Sequence, residues 1–160
     1  IANHEGPVYL RFGRPSWPVF TENLPFEIGK GILLNEGKDV TIVATGHLVW
    51  KAVEAVKQLE NEGISCDLIN IHTIKPLDED IILRSVRKTG CIISAEEHQR
   101  NGGLGDSIAQ LLARNLPTPQ EYVAVNDQFG ESGTPDQLLE KYGMGTSDVV
   151  TAVRNVLKRK

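Results

Sequence analysis

Three short segments of the sequence hold residues whose types suit chemistry, and each follows an apolar run that predicts a strand. They are Ala44–His47, His72–Asp78 and Glu96–His98. Backbone amides at a helix N terminus hold anions, the amine of Lys75 suits a phosphate or carboxylate, and a carboxylate beside an imidazole suits acid–base catalysis. A capped helix end and a solvated loop lysine are the simpler interpretations of the first two segments.

A glycine cluster follows the third segment, at Gly102-Gly103-Leu104-Gly105. Glycine allows a backbone to approach a ligand or another subunit closely. The cluster lacks the Lys-Ser/Thr of a phosphate-binding P-loop, and the first buried strand lacks the Gly-x-Gly-x-x-Gly dinucleotide fingerprint. We therefore define a candidate ligand or interface loop by these residues: Glu97, His98, Gly102, Gly103 and Gly105.

The histidines and cysteines form no recognisable metal or redox motif. The spacing of the four histidines is not that of metal ligands, so we predict no metal site. Cys66 and Cys91 each lie in an apolar, β-rich run, and the sequence has no Cys-x-x-Cys pair. We expect two buried free thiols in a reducing compartment, which here means the cytoplasm.

Composition limits the class of protein. The 160 residues carry a net charge of −4, with 40% hydrophobic and 24% charged residues, which is typical of one soluble globular domain. No apolar run approaches the about 20 residues that span a membrane, and the mildly acidic balance disfavours nucleic acid as the main partner. The first residue is Ile1 and the single methionine is Met144, so we expect this chain to be part of a longer one.

Alternating hydrophobic patterns predict the elements that position these segments. Nearly continuous apolar, β-branched runs predict buried strands at Asp39–Thr45, Ile64–Ile71, Cys91–Ala95 and Glu121–Val125. Helical spacing, caps and stop glycines predict helices that begin near Leu48, Asp78, Gly102, Thr134 and Thr146. The alternation predicts an α/β fold: a three-layer α/β/α sandwich with a mostly parallel, Rossmann-like sheet of about five strands. Such folds bind ligands at the carboxyl ends of their strands, where the three segments lie.

Residues 1–38 do not follow this pattern. Pro7–Phe12 predicts a strand, Arg14–Pro18 predicts an irregular connector outside the core, and Phe26–Asn35 predicts an edge strand pair. A strand, a proline-rich link and a complete α/β unit are typical of a domain junction. We therefore place the boundary so that residues 1–25 end an upstream domain with its linker, and residues 26–160 form the α/β domain.

Five motifs occur in an order that resembles a known family. They are Asp39–Gly46, Thr73–Asp78, Glu96–His98, Gly102–Gly105 and Phe129–Gly133. Together they closely resemble the C-terminal domain of transketolases and related thiamine diphosphate enzymes, over about residues 26–160. The last motif is similar to transketolase proper, particularly the form split into N- and C-terminal subunits. The stretch Gly6–Arg14 resembles the end of the family's pyrimidine-binding domain.

The resemblance implies an activity for the intact enzyme and a limited role for this chain. The intact enzyme would transfer a two-carbon ketol unit from a ketose phosphate to an aldose phosphate, using thiamine diphosphate and Mg²⁺. The family's Gly-Asp-Gly metal motif, activating glutamate and active-site histidines are absent here. We therefore expect no catalytic residue in this chain, and neither cofactor bound to it alone.

One substrate contact and several partners are also implied. The resemblance associates Arg14 with the phosphate of the sugar substrate, a role that suits a permanently charged guanidinium, and Arg11 is a weaker candidate. The chain itself is expected to be structural. It would pack against the upstream pyrimidine and pyrophosphate domains, or against an N-terminal subunit, in a homodimer or heterotetramer.

Two alternatives stay open at this stage. The same fold forms the C-terminal domain of other thiamine diphosphate enzymes, such as deoxyxylulose phosphate synthase or a 2-oxoacid dehydrogenase beta subunit. The second alternative is a free-standing module that binds a small ligand through Glu97, His98 and the glycine cluster.

Overall fold

The protein is a five-stranded sheet covered by helices on both faces, in a computed structural model that describes residues 1–13 and 16–160. The strands are β1 (Ile32–Asn35), β2 (Val40–Ala44), β3 (Cys66–Asn70), β4 (Ile92–Gln99) and β5 (Gln120–Val125). The helices are α1 (Leu48–Asn61), α2 (Glu79–Thr89), α3 (Leu104–Asn115), α4 (Pro135–Lys141) and α5 (Thr146–Leu157). The predicted α/β class and its mostly parallel sheet are confirmed.

The order of the strands creates a crevice at one edge of the sheet. The order is β1-β3-β2-β4-β5, with β2, β3, β4 and β5 parallel and β1 antiparallel to β3. The chain moves outward from β2 to β3 and then returns past β2 to β4, so the direction of winding reverses between β2 and β4. At such a reversal the loops after the two strands diverge, and open α/β sheets bind their ligands there.

Side chains that alternate along the central strands produce a core on each face of the sheet. On β2, Val40, Ile42 and Ala44 pack with α1 and α5, whereas Val43 packs with α2 and α3. All five residues of β2 are buried because helices cover both faces. In the described part of the chain, no helix is long and apolar enough to cross a bilayer.

Polar caps and a glycine set the ends of the helix that follows β3. At the start of α2, the amide of Ile81 donates to Asp78 Oδ1 at 3.3 Å. The helix ends at Gly90, which has a φ of 72°, a left-handed conformation that glycine adopts without a steric penalty. Both signals were readable in the sequence, and they place α2 where it was predicted.

Two predictions for the N-terminal residues are wrong. Pro7–Phe12 forms no strand: the sheet ends at β1 and β5, and this exposed segment pairs with neither. Residues of high β-propensity form a strand only where a neighbour completes the hydrogen-bond ladder. Phe26–Asn35 supplies one edge strand rather than a pair, because the amides of Gly29 and Gly31 donate to side chains of the loop between β3 and α2.

The two cysteines are free and fully buried, as predicted. Burial raises the pKa of the Cys66 thiol from 9.0 to about 12, and the nearby charges of Asp39 and Glu60 add to the effect. Burial also raises the pKa of Cys91. Both thiols are therefore protonated at neutral pH and act as small hydrophobic side chains of the core.

A buried carboxylate, Asp67, ties the sheet to α2. Its side chain is almost completely buried and accepts hydrogen bonds from Gly37 N at 2.7 Å, Ser85 Oγ at 2.5 Å and Lys88 Nζ at 2.8 Å. Thr41 Oγ1 lies 2.6 Å from Ser85 Oγ and extends the network across β2. A charge is tolerated at this depth because donors surround it and one of them is cationic.

We expect Asp67→Ala to lower the free energy of unfolding by about 2–4 kcal/mol, because it leaves the Lys88 amine and the Gly37 amide without their partner. Lys88 also lies 3.8 Å from Glu36, whose side chain is 81% exposed. Glu36→Ala is therefore the matched control and should change stability by less than about 1 kcal/mol. Urea unfolding followed by circular dichroism measures both, and equal losses would contradict the role of burial.

Candidate functional site

A cavity of about 640 Å³ lies at the carboxyl edge of the sheet, where β2 and β4 end. Thr45–His47 and Glu96–His98 line it from the two strand ends, and Gly102–Leu104 lines it from the start of α3. Arg11–Gly13 of the N-terminal segment line it as well. The cavity thus lies at the reversal of winding, and its volume is within the range of about 300–1,000 Å³ for small-ligand sites.

The structure brings most of the predicted loop residues to this cavity. Four of the five candidate residues line it: Glu97, His98, Gly102 and Gly103. Gly105 is not among the lining residues, and exposed Lys75 is also outside the lining. Arg14 lies outside the described residues, so its role stays a prediction.

Glu96 belongs to one of the three predicted segments, but it was not included among the candidate loop residues. It is only 3% exposed and accepts from Leu104 N at 2.7 Å and from Gly105 N at 2.8 Å. Those amides belong to the first turn of α3, and a carboxylate there also complements the helix dipole. The sequence contained a signal for this role. The residue before α3 is Gly103, which has no side chain to cap the helix, so an acceptor from elsewhere in the chain was needed for the first amides.

Close packing explains two of the glycines in the cluster. A Cβ atom at Gly103 would overlap the Glu96 carboxylate, and one at Gly105 would lie 2.7 Å from Ser94 Oγ and 2.5 Å from the ring of Tyr122. Such distances are too short for carbon, so α3 approaches β4 and β5 this closely only with glycine at both positions. From the sequence, these glycines were expected to let the backbone approach a ligand or another subunit. At Gly103 and Gly105 the close neighbours are instead residues of this chain's own strands.

The imidazole of His47 connects the ends of β2 and β4. Its Nδ1 lies 2.7 Å from Glu97 Oε2, and because a carboxylate only accepts hydrogen bonds, Nδ1 carries the hydrogen. The indole of Trp17 stacks on the same ring, with centroids 4.4 Å apart and planes at 23°. A ring pair of this kind contributes about 0.5–1.5 kcal/mol beyond burial.

One sequence prediction is corrected by this contact. Arg14–Pro18 was expected to form a connector outside the core, but Trp17 is partly buried and packs against the core formed with α1 and α5. Tryptophan has a large apolar surface to bury, and the open ring face of His47 receives it.

Neighbours in the sequence are not partners in space along the end of β4. The strand continues to Gln99, beyond the predicted end at Ala95, and successive side chains of a strand point to opposite faces. Glu96 therefore reaches α3, whereas Glu97 reaches His47. The pairing with β5 becomes irregular between Ala95 and Gln99, and His98 Nδ1 lies 2.9 Å from the carbonyl of Gln99. A carboxylate–imidazole pair does form, but with the imidazole of the neighbouring strand end.

The described residues do not fit a diphosphate cofactor with its metal ion. Within residues 1–13 and 16–160, no group of three His, Cys, Asp or Glu side chains is placed to hold a metal. Each oxygen of the buried Glu96 carboxylate accepts a hydrogen bond from an amide of α3, which holds the carboxylate against the start of the helix.

Comparison with known proteins gives consistent matches. The family model described as "Transketolase, C-terminal domain" matches residues 29–149. The chain is 45% identical, over 100% of its length, to 50% of the "6-deoxy-6-sulfo-D-fructose transketolase subunit SqwH" of Clostridium sp. (strain MSTE9). It is 37% identical, over 99% of its length, to 26% of "1-deoxy-D-xylulose-5-phosphate synthase 1" of Geobacter sulfurreducens. A solved "Split gene transketolase, inactive beta4 tetramer" matches with a TM-score of 0.84 and 48% identity, over 88% of this chain and 46% of that chain.

The fold and the sequence matches define an α/β domain of the transketolase type. The chain belongs to the transketolase C-terminal domain family. The resemblance seen in the motifs is thereby confirmed, and the higher identity to a transketolase subunit than to the synthase favours transketolase over the alternative. The chain spans about half the length of the transketolase subunit that it matches.

We expect Gly103→Ala to displace the Glu96 carboxylate and to lower the free energy of unfolding by about 1–3 kcal/mol, because two buried amides of α3 lose their acceptor. Gly130→Ala is the matched control, since nothing lies within 4 Å of a Cβ atom at that position, and it should cost less than about 0.5 kcal/mol. Urea unfolding of both variants decides the matter. Similar curves for the two variants would show that Glu96 does not depend on this glycine.

Proposed function

We propose that this chain is the C-terminal part of a split transketolase, whose intact form transfers a two-carbon ketol unit between sugars with thiamine diphosphate and Mg²⁺. The observation that carries the proposal is the 45% identity to a transketolase subunit along the whole chain. The engagement of Glu96 by α3 supports a structural role for this part. Catalytic groups and cofactor ligands would then come from the N-terminal subunit or upstream domains.

Exposed aromatic side chains are the surfaces on which we propose that the partner packs. Tyr9 is 86%, Phe12 82% and Phe129 96% exposed, and aromatic side chains are enriched in the buried cores of protein–protein interfaces. Phe129 opens the Phe129–Gly133 motif, and Tyr9 and Phe12 belong to the segment that resembles the end of the upstream domain. We assign both regions to contacts within a dimeric or tetrameric enzyme. We place that enzyme in the cytoplasm, where the two free thiols stay reduced.

The substrate that we propose is a ketose that carries an anionic group. The names of the two relatives specify a sulfonated sugar and a sugar phosphate, and both groups present anionic oxygens to a guanidinium. Arg14 is the residue we assign to that group. Glu97, His98 and Gly102 are assigned to the interface with the upstream region, not to a diffusible ligand, whereas Gly103 and Gly105 pack against other elements of this chain.

Calorimetric titration tests whether cofactor binding belongs to the N-terminal partner and not to this chain. With thiamine diphosphate and Mg²⁺, the chain alone should give no heat of binding, whereas its assembly with the N-terminal partner should bind the cofactor and transfer a ketol unit between sugars. Micromolar binding by the chain alone would contradict the structural role. Turnover of 2-oxoacids, or formation of deoxyxylulose phosphate, by the assembled enzyme would favour the alternative family members.

A second test addresses the anionic group of the substrate. In the assembled enzyme, Arg14→Ala should raise KM for a phosphorylated or sulfonated ketose by about 10- to 100-fold, because a hydrogen bond between charged groups is worth about 1.5–3 kcal/mol. KM for a ketose without an anionic group should change little. Lys30→Ala, which removes the same charge from an exposed position, is the control. Equal increases for both kinds of sugar would refute recognition of the anion.

A further inference from the structure

The loop that follows β5 presents an aromatic side chain on a fixed main chain. Phe129 is 96% exposed, the largest exposed fraction among the large hydrophobic residues of the described part of the chain. Its carbonyl oxygen, by contrast, accepts a hydrogen bond from Tyr142 Oη at 2.9 Å. We call residues 127–133 the Phe129 loop. An exposed ring on a held main chain suits a preformed binding element, because little ordering remains to be done on binding.

The start of the Phe129 loop is held in a conformation that most residues avoid. Asp127 has a φ of 47°, in the left-handed region where a residue with a Cβ atom is uncommon. Its amide donates to Gln99 Oε1 at 2.9 Å, and the amide of Arg100 donates to the same oxygen at 2.9 Å. One side chain at the end of β4 therefore fixes the turn, and conformations maintained in this way cluster at functional sites.

The rest of the Phe129 loop is tied to α4. The amine of Lys141, in the last turn of that helix, pairs with the carboxylate of Glu131. The loop then leads into the capping box that begins α4 at Thr134, and Tyr142, which holds the Phe129 carbonyl, directly follows the helix. The loop is thus attached to β4 at its start and to α4 beyond it, while the ring of Phe129 faces solvent.

We propose that the Phe129 loop is a docking element whose aromatic ring enters an apolar pocket on the N-terminal partner, and that lysine or arginine side chains form the rim of this pocket. The inference rests on the proposed function, which supplies such a partner. It adds the anchor residue and the chemistry of the surface that receives it. Phenylalanine suits an anchor because its ring buries a large apolar area, and aromatic residues are enriched in interface cores.

The charge around the Phe129 loop indicates the rim. Residues 127–142 contain four carboxylates and one amine, that of Lys141. The amine pairs with Glu131, whereas Asp127 and Glu140 are exposed and pair with no cation within residues 1–13 and 16–160. A cationic rim on the partner complements this surface and speeds the encounter of the two chains.

The same charges disfavour a second copy of this chain as the occupant. In an isologous dimer the same patch of both copies meets itself, so two Phe129 loops would bring the exposed carboxylates of Asp127 and Glu140 towards their own equivalents. Like charges that face each other across an interface oppose association. The occupant is therefore a chain whose surface carries the opposite charge.

Titration of this chain with the separately purified N-terminal subunit tests the anchor. Phe129→Ala should raise Kd by about tenfold or more, because truncation of a central aromatic anchor removes a hot spot. The midpoint of urea unfolding should not change, because the ring is exposed. Leu33→Ala is the matched control, at a 43% exposed position of β1 on the opposite edge of the sheet, and should leave Kd as it is. The same Kd for Phe129→Ala and wild type would overturn the proposal.

Two further variants test the held main chain and the cationic rim. Tyr142→Phe removes only the hydroxyl that binds the Phe129 carbonyl, and it should raise Kd by about threefold, because the loop must then be ordered on binding. Asp127→Asn keeps a residue that tolerates a positive φ and should slow association by about threefold at low salt, with a smaller effect at high salt. An association rate that does not respond at low salt would overturn the cationic rim.

Sedimentation of the chain alone distinguishes a second copy from the N-terminal partner. If the chain self-associates and Phe129→Ala abolishes the self-association, the occupant is another copy and the proposal is overturned. The proposed function has a separate readout. If the two parts assemble through Phe129 but transfer no ketol unit from any sugar, the proposed function fails and the docking role stands. If the assembly transfers ketol units and Phe129→Ala leaves Kd unchanged, the docking role alone fails.

Discussion

The contact of the Glu96 carboxylate with the first amides of α3 is the interaction on which the strand-end arrangement depends. It joins β4 to the next helix at the point where the winding reverses, and it requires a main chain without Cβ atoms at Gly103 and Gly105. Two glycines of the cluster are therefore explained by the close packing of α3 against the sheet. Because both carboxylate oxygens are engaged, the N terminus of α3 is already neutralised, and the place where related folds bind a phosphate serves here to hold strand and helix together.

The same edge of the sheet also receives the chain that enters the domain. Its aromatic residues rest on rings supplied by the strand-end loops, so the entry path is defined by packing instead of being left to a flexible linker. The strand-end crevice that open α/β folds leave for ligands is therefore partly covered by aromatic side chains of this chain's own N-terminal segment.

Much of the fold was predictable because its causes are local. Apolar, β-branched runs, helical spacing and cap residues such as Asp78 and Gly90 act over a few neighbouring positions, and they gave the class, the order of elements and most boundaries. The strand predicted at Pro7–Phe12 does not form, because a strand needs a hydrogen-bonded neighbour and this sheet does not supply one. The extension of β4 through Gln99 was missed because polar side chains there resemble a loop until their contacts across space are known.

Sequence by itself determined that an α/β domain forms, that its thiols are buried, and that its motifs are those of the transketolase C-terminal domain. Only the tertiary structure decided that Glu96 caps α3, that Glu97 pairs with His47 and not with its neighbour, and that Trp17 leaves the connector to stack on that imidazole. The reason is physical. Periodicity and propensity arise between residues a few positions apart, whereas these contacts join residues brought together only when parallel strands align their carboxyl ends.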